Sequence, residues 1–71
     1  MSITSEQAKK VLLGNYVFSQ LGFSLMITRL KGVYAKDQTP TTLDQCVDEI
    51  NAFLDKYQMI MANDFAVISK L

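Results

Sequence analysis

Few side chains in this 71-residue sequence have the chemistry that catalysis or metal binding requires. Histidine is absent, and Cys46 is the one thiol. A cysteine nucleophile needs a base to activate it, and a structural zinc ion needs several thiol or imidazole ligands. Because Cys46 stands at heptad spacing from Phe53 and Ile60, we interpret it as a buried structural thiol. The sequence predicts a protein that is not an enzyme and that has no metal and no cofactor.

The acidic side chains of the second half do not converge on a site. Three of them lie one or two helical turns apart on one predicted wet face: Asp44, Asp48 and Asp55. Asp64 differs because it occupies a heptad position that is apolar elsewhere. Two interpretations stay open for it. It lies at the edge of a frayed last turn, or it sets the register by meeting Lys9 or Lys10 of a neighbouring chain.

Two long helices are predicted to hold these residues. Thr4 and Gln7 have the spacing of a capping box, so helix one begins near residue 5 and runs to about residue 35. The polar segment 36–41 contains Pro40 and predicts a turn. The second cap is then Thr41 with Asp44, or Thr42 with Gln45.

Helix two is predicted over residues 42–69, and no sustained alternation of period two indicates a strand. The fold class is therefore all-α, with residues 1–71 forming one antiparallel two-helix hairpin. If the chain folds back at Gln38 and Thr39, Phe23 lies level with Leu54, and Arg29 lies level with Asp48. The predicted hairpin core is Leu12, Tyr16, Phe23, Met26, Leu30, Val47, Ile50, Leu54, Tyr57, Met61 and Phe65.

A second apolar face of helix one has no partner within the hairpin. Residues 11–28 carry no charge and include two glycines, each of which costs about 1 kcal/mol in a helix interior. Close approach of another helix would explain both. We therefore expect a homodimeric four-helix bundle whose interface is Val11, Gly14, Phe18, Leu21, Gly22 and Leu25.

The charge distribution along the sequence indicates which kinds of partner to expect. Net charge is zero, but basic residues predominate before Pro40 and acidic residues after it, which favours pairing of the two helices. No nucleic-acid partner is expected, because a dense basic face is needed and the centre of helix one is uncharged. The expected partner is a second copy of the chain or another helical protein.

The expected function is that of a small, non-enzymatic helical interaction protein, acting as an adaptor, regulator or inhibitor through a protein surface. Two alternatives stay open. One is a secretion-system-type co-chaperone or structural subunit in a hetero-oligomer, and the other is a small membrane-associated protein anchored by residues 11–28. A membrane is disfavoured because polar side chains interrupt that stretch. The lone cysteine and the lack of a secretory signal pattern favour the cytoplasm.

Overall fold

A computed structural model describes residues 1–71 and contains four helices and no strand. The helices are α1 (Ser5–Leu13), α2 (Leu21–Lys36), α3 (Pro40–Lys56) and α4 (Ala62–Ser69). The predicted all-α class is confirmed. The predicted helix bounds are wrong, because each of the two predicted long helices is divided in two. The breaks are at residues 14–20 and at residues 57–61.

The first break follows a helix whose start is as predicted. The Gln7 amide donates to the Thr4 hydroxyl, and the Gln7 side chain accepts from the Thr4 amide, which completes the capping box. The helix ends at Leu13 because Gly14 takes an extended backbone conformation, with φ −98° and ψ −170°. Lys31 then donates to the Gly14 carbonyl oxygen at 2.6 Å and holds the loop against α2. Helix one is therefore not continuous over residues 5–35.

The third helix begins earlier than predicted. The Thr39 hydroxyl accepts from the Thr42 amide at 3.2 Å, and Pro40 occupies the first helical position, where no backbone amide is needed. Thr39 is thus the N-cap residue, and the predicted caps at Thr41 and Thr42 are wrong. The helix ends before Tyr57, whose φ of −119° and ψ of 40° are not helical, so residues 42–69 are not one helix.

The second and third helices form an antiparallel hairpin, and α1 packs against both. α4 packs against α1. The Phe23 and Phe53 rings lie 5.5 Å apart, and Arg29 forms an ion pair with Glu49, so α2 and α3 pair within one residue of the predicted register. The core residues are Ile3, Ala8, Val11, Leu12, Phe18, Phe23, Ile27, Leu30, Tyr34, Cys46, Ile50, Leu54, Met61 and Ile68.

Most of the predicted hairpin core is buried or half-buried, with two exceptions. Tyr16 is 40% exposed and Tyr57 is 37% exposed. Tyr16 lies in the loop after α1, and Tyr57 lies in the turn after α3, so neither projects from a helix into the core. Their assignment to the core is wrong because the helices on which it depended end before them.

Candidate protein-binding surface

The six residues predicted to form an interface do not share one face. Val11 and Phe18 are 1% and 7% exposed and belong to the core of their own chain, so their assignment to an exposed interface is wrong. The loop 14–20 folds Phe18 inward, where its ring meets Phe23 edge-on at 4.9 Å. Leu21 and Leu25 are 72% and 61% exposed on α2.

Neighbours within the chain explain Gly14 but not Gly22. A Cβ atom at Gly14 would lie 2.6 Å from a ring carbon of Tyr16 and 2.8 Å from the Lys10 carbonyl oxygen. At Gly22 it would lie 3.6 Å from the ring of Phe53. At Gly14 the close approach is therefore made within the same chain, whereas the distance at Gly22 is an ordinary van der Waals contact. Gly22 remains exposed beside Phe53, whereas Gly14 is half-buried in the loop.

Asp64 is buried and binds the two residues that precede the first residue of α2. Its Oδ1 atom accepts from the Ser19 amide at 2.7 Å and from the Ser19 hydroxyl at 2.8 Å, and its Oδ2 atom accepts from the Gln20 amide at 3.0 Å. A carboxylate is stabilised at a helix N-terminus by these unpaired amides and by the helix dipole. Both interpretations made from the sequence are therefore wrong, because Asp64 is 1% exposed and its partners belong to its own chain.

Cys46 is the buried thiol that the sequence predicted, with 1% of its surface exposed. Burial raises the pKa of this thiol, and the nearby Arg29 guanidinium partly opposes that rise. A raised pKa keeps the sulfur protonated, and the protonated thiol is a poor nucleophile. The position of Cys46 is that of a core residue.

One side of the α2–α3 hairpin has no helix packed against it. A groove of about 390 Å³ runs there between the two helices and is lined only by residues of α2, α3 and the following Tyr57. A second groove shares Lys56 and Tyr57 with it and continues to the turn after α3. We name this surface the open face. Its residues are Met26 and Arg29 on α2, Glu49, Ala52, Phe53, Asp55 and Lys56 on α3, and Tyr57, Gln58, Met59 and Ile60 in the turn. Gly22, Leu25 and Val33 are included because each lies one helical turn from Met26 or Arg29 on α2.

The open face carries several exposed apolar side chains. Leu25 is 61% exposed, Ile60 is 53% exposed and Met59 is 93% exposed. The Tyr57 ring packs on Phe53 at 4.7 Å, and Phe53 packs on the core residue Phe23. Apolar contacts thus continue from the core to the surface. Several exposed apolar side chains near one groove mark a binding site more often than scattered single residues do.

The charges on the two helices of the open face have opposite signs. α2 contains three basic residues and no acidic one, and they are Arg29, Lys31 and Lys36. α3 contains one basic residue, Lys56, and four acidic ones, which are Asp44, Asp48, Glu49 and Asp55. The Arg29–Glu49 ion pair spans the groove, and the Lys56 ammonium lies 5.4 Å from the centre of the Tyr57 ring.

No three Cys, Asp or Glu side chains lie close enough together to hold a metal ion. None of the four helices combines the length and the apolar character that crossing a membrane would require. Comparison with protein-family models, curated proteins and solved structures finds no match to this chain.

Proposed function

We propose that this protein is a non-enzymatic interaction protein, an adaptor or regulator, that acts through the open face. The observation that supports the proposal is the exposure of Leu25, Met59 and Ile60. Met59 and Ile60 line the groove after α3, and Leu25 lies one helical turn from Arg29, which lines the groove between α2 and α3. A chain this small has little core with which to offset exposed apolar area, so covering this face contributes to its stability. The proposed location is the cytoplasm, since a lone thiol suits a reducing compartment.

The proposed partner is a second copy of the chain, and the proposed assembly is a four-helix bundle made from two α2–α3 hairpins. The two helices present a footprint of about 24 by 20 Å, or about 480 Å². The smallest specific interfaces bury about 500 Å² on each partner, and the exposed turn residues Met59 and Ile60 extend the footprint. The open face is therefore about as large as a small homodimer interface requires.

Two leucines of similar exposure provide the test. Leu25 on the open face is 61% exposed, and Leu13 at the end of α1 is 56% exposed. In sedimentation equilibrium without detergent, Leu25→Glu should raise the dimer dissociation constant at least tenfold, because it places a charge in an apolar contact. Leu13→Glu should leave it unchanged, and both variants should keep the circular dichroism of the parent. If the parent chain is monomeric at high concentration, the proposed homodimer is wrong.

A further inference from the structure

We propose that in the dimer α2 of each copy lies over α3 of the other copy. This inference rests on the proposed homodimer and specifies its geometry. The open face is the surface that both copies contribute, so the partner of each acidic helix is the basic helix of the second chain.

Two arrangements bring the open faces of two hairpins together by a two-fold axis. With the axis parallel to the helices, each α2 lies over the α3 of the second copy. With the axis lying in the interface across the helices, α2 lies over α2 and α3 lies over α3. Two-fold symmetry allows both, because each is a self-complementary contact between identical surfaces. The distribution of charge distinguishes them.

The charges favour the first arrangement. Because α2 has only basic residues and α3 has four acidic residues against one basic residue, pairing like helices would bring like charges together. The charged residues that line the grooves of the open face are Arg29, Glu49, Asp55 and Lys56, and this pairing places Arg29 against Glu49 of the second copy. Juxtaposed like charges disfavour a complex strongly, whereas complementary potentials fix its orientation. In the favoured arrangement, every helix of the four-helix bundle has neighbours of opposite charge.

The same arrangement preserves the register found within one chain. A two-fold axis parallel to the helices leaves each residue at its own height along the bundle. Residues that are level within the hairpin are therefore level between copies as well. Arg29 and Glu49, which pair within the chain, meet Glu49 and Arg29 of the second copy at the same height. The result is a ring of four alternating charges. Leu25 comes level with Phe53 of the second copy, so an apolar layer lies one turn from the ring.

Cross-linking of single-cysteine chains tests the arrangement. Cys46→Ala supplies the background, because Cys46 is the one native thiol. Val33→Cys is made in one chain, and Gln45→Cys is made in a second chain of different tag length, since these two positions are level on α2 and α3. The mixed chains are treated with a short bis-maleimide. We expect at least tenfold more covalent heterodimer than either covalent homodimer, and Lys9→Cys in place of Val33→Cys should give no enrichment.

The outcomes separate this inference from the proposed function. Each cysteine variant is first checked by sedimentation in detergent-free buffer. If the variants are dimeric and the Val33→Cys and Gln45→Cys chains cross-link no better than each chain with itself, the α2-over-α3 arrangement is wrong and the homodimer stands. If the parent chain and the variants are monomeric, both proposals fail together. Enrichment of the mixed product in a dimeric sample supports both.

Discussion

At the scale of single residues, Asp64 has the largest structural role that the sequence pattern did not reveal. Its carboxylate accepts three hydrogen bonds from Ser19 and Gln20, which lie more than forty positions away along the chain. It also stands in the first turn of α4, so one negative charge lies close to the N-termini of two helices. The loop before α2 and the orientation of α4 therefore depend on the same side chain.

Replacing Asp64 tests this role. Asp64→Asn removes the charge and turns one acceptor oxygen into a donor that faces a backbone amide. The free energy of unfolding should fall by about 1–3 kcal/mol, as expected for a buried group that loses its partner. Asp48→Asn is the control, since Asp48 is exposed and makes no hydrogen bond or ion pair, and it should change stability by less than about 0.5 kcal/mol. Equal urea midpoints for the two variants would show that the Asp64 contacts do not stabilise the fold.

Two glycines should respond to alanine with opposite signs. At Gly14 the added carbon would lie within 2.8 Å of backbone oxygen and closer still to the Tyr16 ring, so Gly14→Ala should destabilise the chain by about 1–3 kcal/mol. At Gly32, inside α2, no atom lies within 4 Å, so Gly32→Ala should stabilise it by about 0.5–1 kcal/mol. Chemical denaturation of both variants measures the contrast. Destabilisation by Gly32→Ala would mean that this part of the helix has a neighbour.

At the scale of elements, the sequence predicts what local chemistry determines. The capping box at Thr4, the all-α class and the burial of Cys46 all follow from spacing and residue type, and all are confirmed. Gly14 is a possible helix stop signal, but the apolar spacing continues through the loop as if it were helix, because Phe18 is buried there too. The pattern therefore predicts an interface position for Gly14, whereas the structure has a helix end there.

The second break has no comparable local signal. Residues 57–61 contain neither glycine nor proline, and their apolar pattern fits a continuous helix. In the structure, the turn brings α4 to the position where Asp64 reaches Ser19 and Gln20. A hydrogen bond between distant segments thus overrides a weak local preference, and periodicity alone does not contain that information. Because α3 ends at Lys56, Tyr57 lies outside the core.

The division of α2 and α3 into a buried side and an open side makes a testable contrast. Leu54 is fully buried, and Leu21 is 72% exposed at the first position of α2. Leu54→Glu should cost more than about 4 kcal/mol and unfold the chain, because the new charge would be buried without a partner. Leu21→Glu should retain the helical circular dichroism, since an acid is favourable at a helix N-terminus.

Phe18 is buried like Leu54, although the sequence predicts it in one interface with the exposed Leu21. Its ring is 7% exposed and packs against Phe23, so Phe18→Glu should also unfold the chain. A folded Leu54→Glu variant, or an unfolded Leu21→Glu variant, would contradict the burial pattern from which the open face was identified. The helical circular dichroism signal at 25 °C shows which of the three variants are folded.

At the scale of the whole molecule, the main consequence of a homodimer is that folding and association are coupled. The unfolding midpoint of such a protein depends on its concentration, whereas that of a monomer does not. A tenfold increase in concentration corresponds to about 0.7 kcal/mol per chain, which for a domain of this size raises the midpoint by about 3–6 °C. Thermal unfolding at three concentrations measures this shift.

The matched leucine variants make the measurement specific to the open face. In Leu25→Glu the midpoint should be lower and independent of concentration, because the dimer is no longer formed. In Leu13→Glu the dependence should match that of the parent, since Leu13 has similar exposure but lies at the end of α1. If the parent midpoint does not change with concentration, Leu25, Met59 and Ile60 are not covered by a second copy. A concentration dependence that persists unchanged in Leu25→Glu would instead place the contact between copies on a different surface.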